Sequence, residues 1–146
     1  MDPPVILSLE SAATIVDRAL NEGRVRDLRP LCVAVLDAGG HLLVLKRDTD
    51  ASALRPQIAM AKAAACIAMG FGGRELARRA KAAPEFFQML NHMGQGALAP
   101  VVGGVLVRDA SGRILGAAGA SGETSENDEA CLLAGVLAAE LVADAG

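Results

Sequence analysis

The residue types in this sequence that chemistry can use are Arg47 and Lys62 as cations, Glu123 and Asp128 as carboxylates, His92 as an imidazole, and the run Gly119-Ala120-Ser121-Gly122. That run precedes a helix pattern, so its N–H groups and the positive helix end suit a carboxylate or another anion. A cation to bind, N–H groups to stabilise an oxyanion and a group to move a proton together describe a lyase, isomerase or hydratase on a small anionic metabolite. On this reading Glu123, Asp128 and Lys62 are the catalytic candidates, and Arg47, Gly119, Ser121, Gly122 and His92 bind ligand. The spacing does not choose among Glu123, Glu126, Asp128 and Glu129, and the alternative is that all four face water and complement the helix dipole. Lys62 stands alone among small residues, either as a ligand-binding cation or as a lysine whose stem carries its charge to the surface. Strand alternation turns one of Lys46 and Arg47 inward, and Arg47 is preferred.

His41 directly follows a turn and is expected in solvent. His92, beside Met93 in a glycine-containing segment, is open to two readings, an iron ligand or proton-transfer group and a solvated loop histidine. Cys32, Cys66 and Cys131 are odd in number, far apart and without C-x-x-C spacing, which speaks against a disulfide framework, a zinc site or covalent haem and for buried thiols. H-E-x-x-H, G-x-S-x-G, Walker and dinucleotide fingerprints are absent, and Gly70-Phe71-Gly72-Gly73 follows a helix rather than a strand.

The elements that must position these groups are legible in part. Ser8 can cap a first helix whose apolar positions Ala12, Ile15, Val16, Ala19 and Leu20 recur at helical spacing, with Gly23 marking its end. Leu31 to Leu36 and Leu42 to Leu45 read as strands around the turn Asp37-Ala38-Gly39-Gly40. Arg55 to Gly70 is an Ala-rich helix with Ile58, Ala61, Ala65 and Met69 on one side, able to approach another helix closely. Short helical pieces follow at Glu75 to Lys81 and Pro84 to Leu90, then a loop from Asn91 to Pro100 long enough to form a lid or pocket wall. A second hairpin, through Val105, Val107, Asp109, Gly112, Ile114 and Leu115, shares the turn chemistry of the first. The last helix starts near Ser125, with Ser125 and Asp128 as a capping box, and carries Cys131, Ala134, Gly135, Ala138, Leu141 and Val142. Two hairpins give four antiparallel strands and Pro100 to Val102 offers a fifth, so the fold class is α+β, a single antiparallel sheet flanked by helices.

A chain of 146 residues fits one domain, 1–146. It is 52% hydrophobic but only 2% aromatic, so Ala, Val, Leu, Ile and Met fill the interior and platforms for stacking bases are missing. With a net charge of -3 and no basic stripe, nucleic acid is not expected as a partner. Met-Asp-Pro-Pro lacks a basic n-region and no apolar run is long enough to span a bilayer, so a cytoplasmic chain without a membrane partner is expected.

The segments Val35-Leu36-Asp37-Ala38-Gly39-Gly40-His41-Leu42, Arg47 with Ala51, Ile58-Ala59 with Lys62-Ala63, Ile114 to Gly122, and Asp128-Glu129-Ala130 together resemble the GlcG/HbpS haem-binding family, which includes the carboxy-terminal domain of PduO-type proteins. The match runs over nearly the whole chain. It implies an antiparallel sheet with helices in profilin-like layers, assembly into homo-oligomers, and binding of haem or a related tetrapyrrole, sometimes described as haem degradation. Three functions therefore stand: a tetrapyrrole-binding protein with haem as the candidate cofactor, for which His92 is a candidate iron ligand on side-chain chemistry alone, a cofactor-independent enzyme on a small ligand, and an oligomeric accessory protein without catalysis.

Overall fold

The computed structural model describes residues 5–146; Met1 to Pro4, from which the expectation of no leader was drawn, lie outside the described residues. Helix α1 (Leu9–Val25) is followed by strands β1 (Cys32–Asp37) and β2 (Leu42–Arg47), helices α2 (Arg55–Met69), α3 (Gly73–Ala82) and α4 (Pro84–Met93), strands β3 (Gly104–Arg108) and β4 (Ile114–Ser121), helix α5 (Ser125–Ala138) and strand β5 (Val142–Asp144). The strands form one antiparallel sheet in the order β2-β1-β4-β3-β5. This is the α+β class that the two hairpin patterns predict.

Strand alternation divides the sheet into two unequal faces. Val33, Val35, Val105, Val107, Ala118 and Ala120 meet the apolar stripe Ala12, Ile15, Val16, Ala19 of α1 and Cys131, Leu132, Val136 of α5, forming the larger core. The opposite face, with Cys32, Ala34, Leu36, Leu106 and Ala117, is covered by α2 through Ala59, Ala63 and Cys66. Ser8 caps α1, its Oγ accepting the Ser11 N–H at 3.0 Å.

Helix α2 lies closest to the sheet where both partners are smallest. A Cβ on Gly119 would stand 2.0 Å from the Ala59 carbonyl oxygen, so no side chain fits between β4 and α2 there. The close approach predicted for this Ala-rich helix is thus made to a strand. Its sheet-facing residues are Ala59, Lys62, Ala63 and Cys66, a different stripe from Ile58, Ala61 and Met69, which are only partly buried.

Several boundaries depart from the sequence reading. Helix α1 runs through Gly23 to Val25, because Gly23 is buried within the helix and packs on Leu31 rather than ending it. Helix α4 takes in Asn91, His92 and Met93, shortening the expected loop. Thr124, not Ser125, caps α5, its hydroxyl accepting the Asn127 N–H at 3.2 Å. Pro100 to Val102 belongs to no strand. The fifth strand is instead Val142–Asp144, reached through a reversal in which Glu140 takes φ 60°.

Candidate functional site

The corner between β4 and α5 is filled rather than open. Gly122 is buried, and a Cβ there would stand 2.2 Å from the Pro30 carbonyl oxygen. Ser121 is 1% exposed and its hydroxyl accepts from Arg55 Nη1 at 3.1 Å. Lys62 and Asp128 meet beneath this corner. Lys62 Nζ donates to the Ala120 carbonyl at 2.9 Å and to Asp128 Oδ2 at 3.2 Å, while Asp128 Oδ1 accepts the Glu123 N–H at 3.0 Å. The lysine stem therefore does not carry its charge to the surface. Burial pushes the Asp128 carboxyl above its ordinary range, with Lys62 pulling back only part of that rise.

The acids at the start of α5 do not uniformly face water. Glu123 pairs with Arg29, whose side chain and backbone N–H hold the carboxyl down to about 2. Glu129 is buried against Arg74 of α3, at 2.8 Å from Oε2 to Nε, with the hydrogen bonds falling on Oε1. Glu126 is exposed. Each remaining acid thus joins α5 to a different neighbour: Asp128 to α2, Glu129 to α3, Glu123 to the segment before β1.

Arg47 lies opposite Cys32 in the β1–β2 register and Ser121 lies opposite Cys32 on the other side, so all three share the α2 face of the sheet. Its Nη1 donates to the Ala51 carbonyl at 2.6 Å, which closes the turn after β2. Lys46 points to the other face and pairs with Asp17 of α1 at 2.7 Å. Arg47 is therefore separated from Ser121 by the width of β1, and its hydrogen bond goes to its own turn. The structure brings Lys62, Ser121, Gly122, Gly119 and Asp128 together in a packed interior. Arg47, Glu123 and His92 lie outside that cluster.

A further concavity lies beside α2, outside that cluster. A groove of about 460 Å³ runs between Met60, Ala61 and Ala64 of α2, Leu36, Gly40 and Leu42 of the first hairpin, and Gln95, Gly96 and Ala97 before β3, with Gln57 at its rim. Among the described residues no lining side chain is ionisable. The hydrogen bond from the Ala99 N–H to the Ala61 carbonyl, 3.0 Å, holds the 95–97 wall against α2. His92 is exposed on α4 and lines a neighbouring open cleft with Gln88 and Asn91; Gln95 and Gly96 border both. His41 is exposed beside Gly40, with Nδ1 3.2 Å from Asp37 Oδ1. Among the described residues no group of three or more His, Cys, Asp or Glu could hold a metal ion, and no helix is long and apolar enough to cross a membrane.

The family model described as "Haem degrading protein HbpS-like" matches residues 7–137, from the segment before α1 to the last turn of α5. The chain belongs to the HbpS-like family. Among solved structures, PduOC in complex with haem is similar at TM-score 0.85 and 24% identity, covering 96% of this HbpS-like chain and 99% of PduOC. A double mutant of Streptomyces reticuli HbpS is similar at TM-score 0.80 and 26% identity over 94% of this chain and 89% of that one. The Klebsiella pneumoniae protein ORFY is similar at TM-score 0.82 and 21% identity over 95% and 94%. The PduOC and ORFY likenesses are likenesses of fold. No curated protein sequence matches this HbpS-like chain.

Sequence reasoning missed Arg55, Arg74 and the groove. The arginines carry no signal beyond charge, because their partners Ser121 and Glu129 are 66 and 55 residues away. The groove walls come from three separate stretches, and its one sequence trace is the run of alanines facing away from the sheet at Ala61 and Ala64.

Proposed function

We propose that this HbpS-like protein binds haem or a related tetrapyrrole in the groove between α2, the first hairpin and residues 95–97. The observation that carries the reading is the lining: an uncharged slot of about 460 Å³ walled by Leu36, Leu42, Met60, Ala61, Ala64 and Ala97. A flat apolar macrocycle gains from burying its faces against such side chains, while its charged propionates stay in water at the open rim. The alanines at positions 61, 64 and 97 add little bulk to the groove walls. The family description, haem degrading, supports the same ligand class. The groove residues fit the group: apolar walls for the ring and a soft thioether for iron. Bound haem would supply redox-active iron; the chain's own residues bury the ring, orient it and exclude water from its faces.

Titration of the purified protein with haemin tests this. A saturable Soret shift is expected, and Ala64→Phe, which fills the slot, is expected to weaken it by roughly tenfold or more. Absence of any shift, or an unchanged affinity in the filled variant, would overturn the reading.

Homo-oligomer formation belongs to the same proposal. It is supported by β2, which has a sheet neighbour on one side only among the described residues and whose Leu42 is 50% exposed. An acid–base reaction at Lys62 and Asp128 finds no comparable support, since substrate would have to reach two side chains that are 5% and 1% exposed.

A further inference from the structure

Among the described residues, the groove is lined by one side chain able to bond to a soft metal. Those lining residues offer no imidazole, thiol or carboxylate, and the Met60 thioether is the one such donor among them. Met60 is well anchored for that role. It sits in the middle of α2, two residues before Lys62, whose bonds to Ala120 and Asp128 fix this turn of the helix against the sheet. Met60 packs with Leu45 against the small cluster Cys32, Ala34 and Ala59 and is also one of the residues that line the groove.

The competing donor is His92. It projects from α4, whose buried contact is Phe87, and it is exposed in the adjacent cleft rather than in the slot. Thioether sulfur ligates haem iron and raises its reduction potential relative to ligation by harder donors. Leucine would replace Met60 at nearly equal volume with no lone pair to offer.

We infer that Met60 is an iron ligand of the haem seated in the groove, so that the protein distinguishes iron porphyrin from the metal-free ring. The inference rests on the haem reading above but can fail separately from it. The experiment compares haemin and metal-free protoporphyrin on the wild type, Met60→Leu and His92→Ala, reading absorption, reduction potential and affinity. The wild type is expected to bind both rings and to show a sulfur-to-iron charge-transfer band with ferric haem. Met60→Leu is expected to lose that band, lower the potential and weaken haemin binding by roughly tenfold, the scale of losing one group at a metal site. Its affinity for the metal-free ring should be unchanged, and His92→Ala should behave as the wild type. A wild type that binds both rings while Met60→Leu leaves band, potential and haemin affinity unaltered overturns the Met60 assignment and leaves the haem reading standing. Transfer of those changes to His92→Ala overturns it in the same way, and a wild type that binds neither ring overturns both.

Discussion

Lys62 Nζ stands 3.2 Å from Asp128 Oδ2 with both side chains withdrawn from water, which ties the helix that walls the groove to the first turn of the last helix. The pair has further bonds, from Nζ to the Ala120 carbonyl and from the Glu123 N–H to Oδ1, so each charge is solvated by protein as well as by its partner. Such a pair resists loss of either member more than loss of both. Lys62→Met is expected to lower unfolding free energy by about 3–5 kcal/mol, and Lys62→Met with Asp128→Leu by less than that single change. Urea denaturation measures both; a double variant weaker than the single one would contradict the account of the pair.

The pH dependence of stability follows from carboxyls displaced in opposite directions. Arg29 holds Glu123 down to about 2, and Arg78 with Arg79 hold Glu75 down to about 2, from an ordinary 4.5. A carboxyl with a depressed folded pKa contributes stability above 4.5 that is lost as pH falls toward 2. Asp128, raised by burial, acts in the reverse sense, and its contribution is lost as pH rises past its ordinary 3.8. Glu123→Gln should therefore flatten the fall in urea midpoint between pH 4.5 and 2. An acid limb identical to that of the wild type would show that the Arg29 contact is not formed in solution.

The parts of the fold that were legible in sequence are those specified locally. Ser8 announces α1 because an N-cap bonds three residues ahead, and Asp37 and Asp109 announce two hairpins because each side chain accepts N–H groups within its own turn. The fifth strand was illegible because Leu141 and Val142 continue the helical apolar spacing of α5, and only pairing with β3, more than thirty residues earlier, makes Val142–Asp144 a strand. The candidate site suffered the same way. Glycines and serine before a helix looked like an open anion site, yet their small size serves close packing against Pro30 and Ala59. Which acid meets Lys62 is decided by tertiary packing, since Asp128 lies 66 residues from its partner and local spacing does not encode that contact.

The contact between β4 and α2 is tightest at Gly119, where an added methyl would stand 2.0 Å from the Ala59 carbonyl oxygen and 3.0 Å from the Ala63 nitrogen. Both neighbours are backbone, so neither can rotate away. Gly119→Ala is expected to cost about 1–3 kcal/mol or more and, by pushing α2 off the sheet, to weaken haemin binding as well. Thermal denaturation and haemin titration check the two effects together. Full stability in this variant would mean that α2 lies farther from β4 than described.

The three thiols are expected to be inert in the folded state. Burial pushes Cys66 up to about 12 and Cys32 and Cys131 up to about 11, so almost no thiolate exists at neutral pH. A chromogenic disulfide reagent at pH 8 should titrate no cysteine in native protein and all three after denaturation. A fast-reacting thiol in the native protein would place that residue nearer to solvent than the core described.

The location of the ligand site is tested most directly by amide chemical-shift mapping with zinc protoporphyrin, a diamagnetic stand-in for haem. Perturbations are predicted to concentrate on Leu36 to Leu42, Gln57 to Ala64 and Gln95 to Ala97, the three walls of the groove. Perturbations centred instead on Gly119 to Asp128, with the groove amides unmoved, would contradict the account.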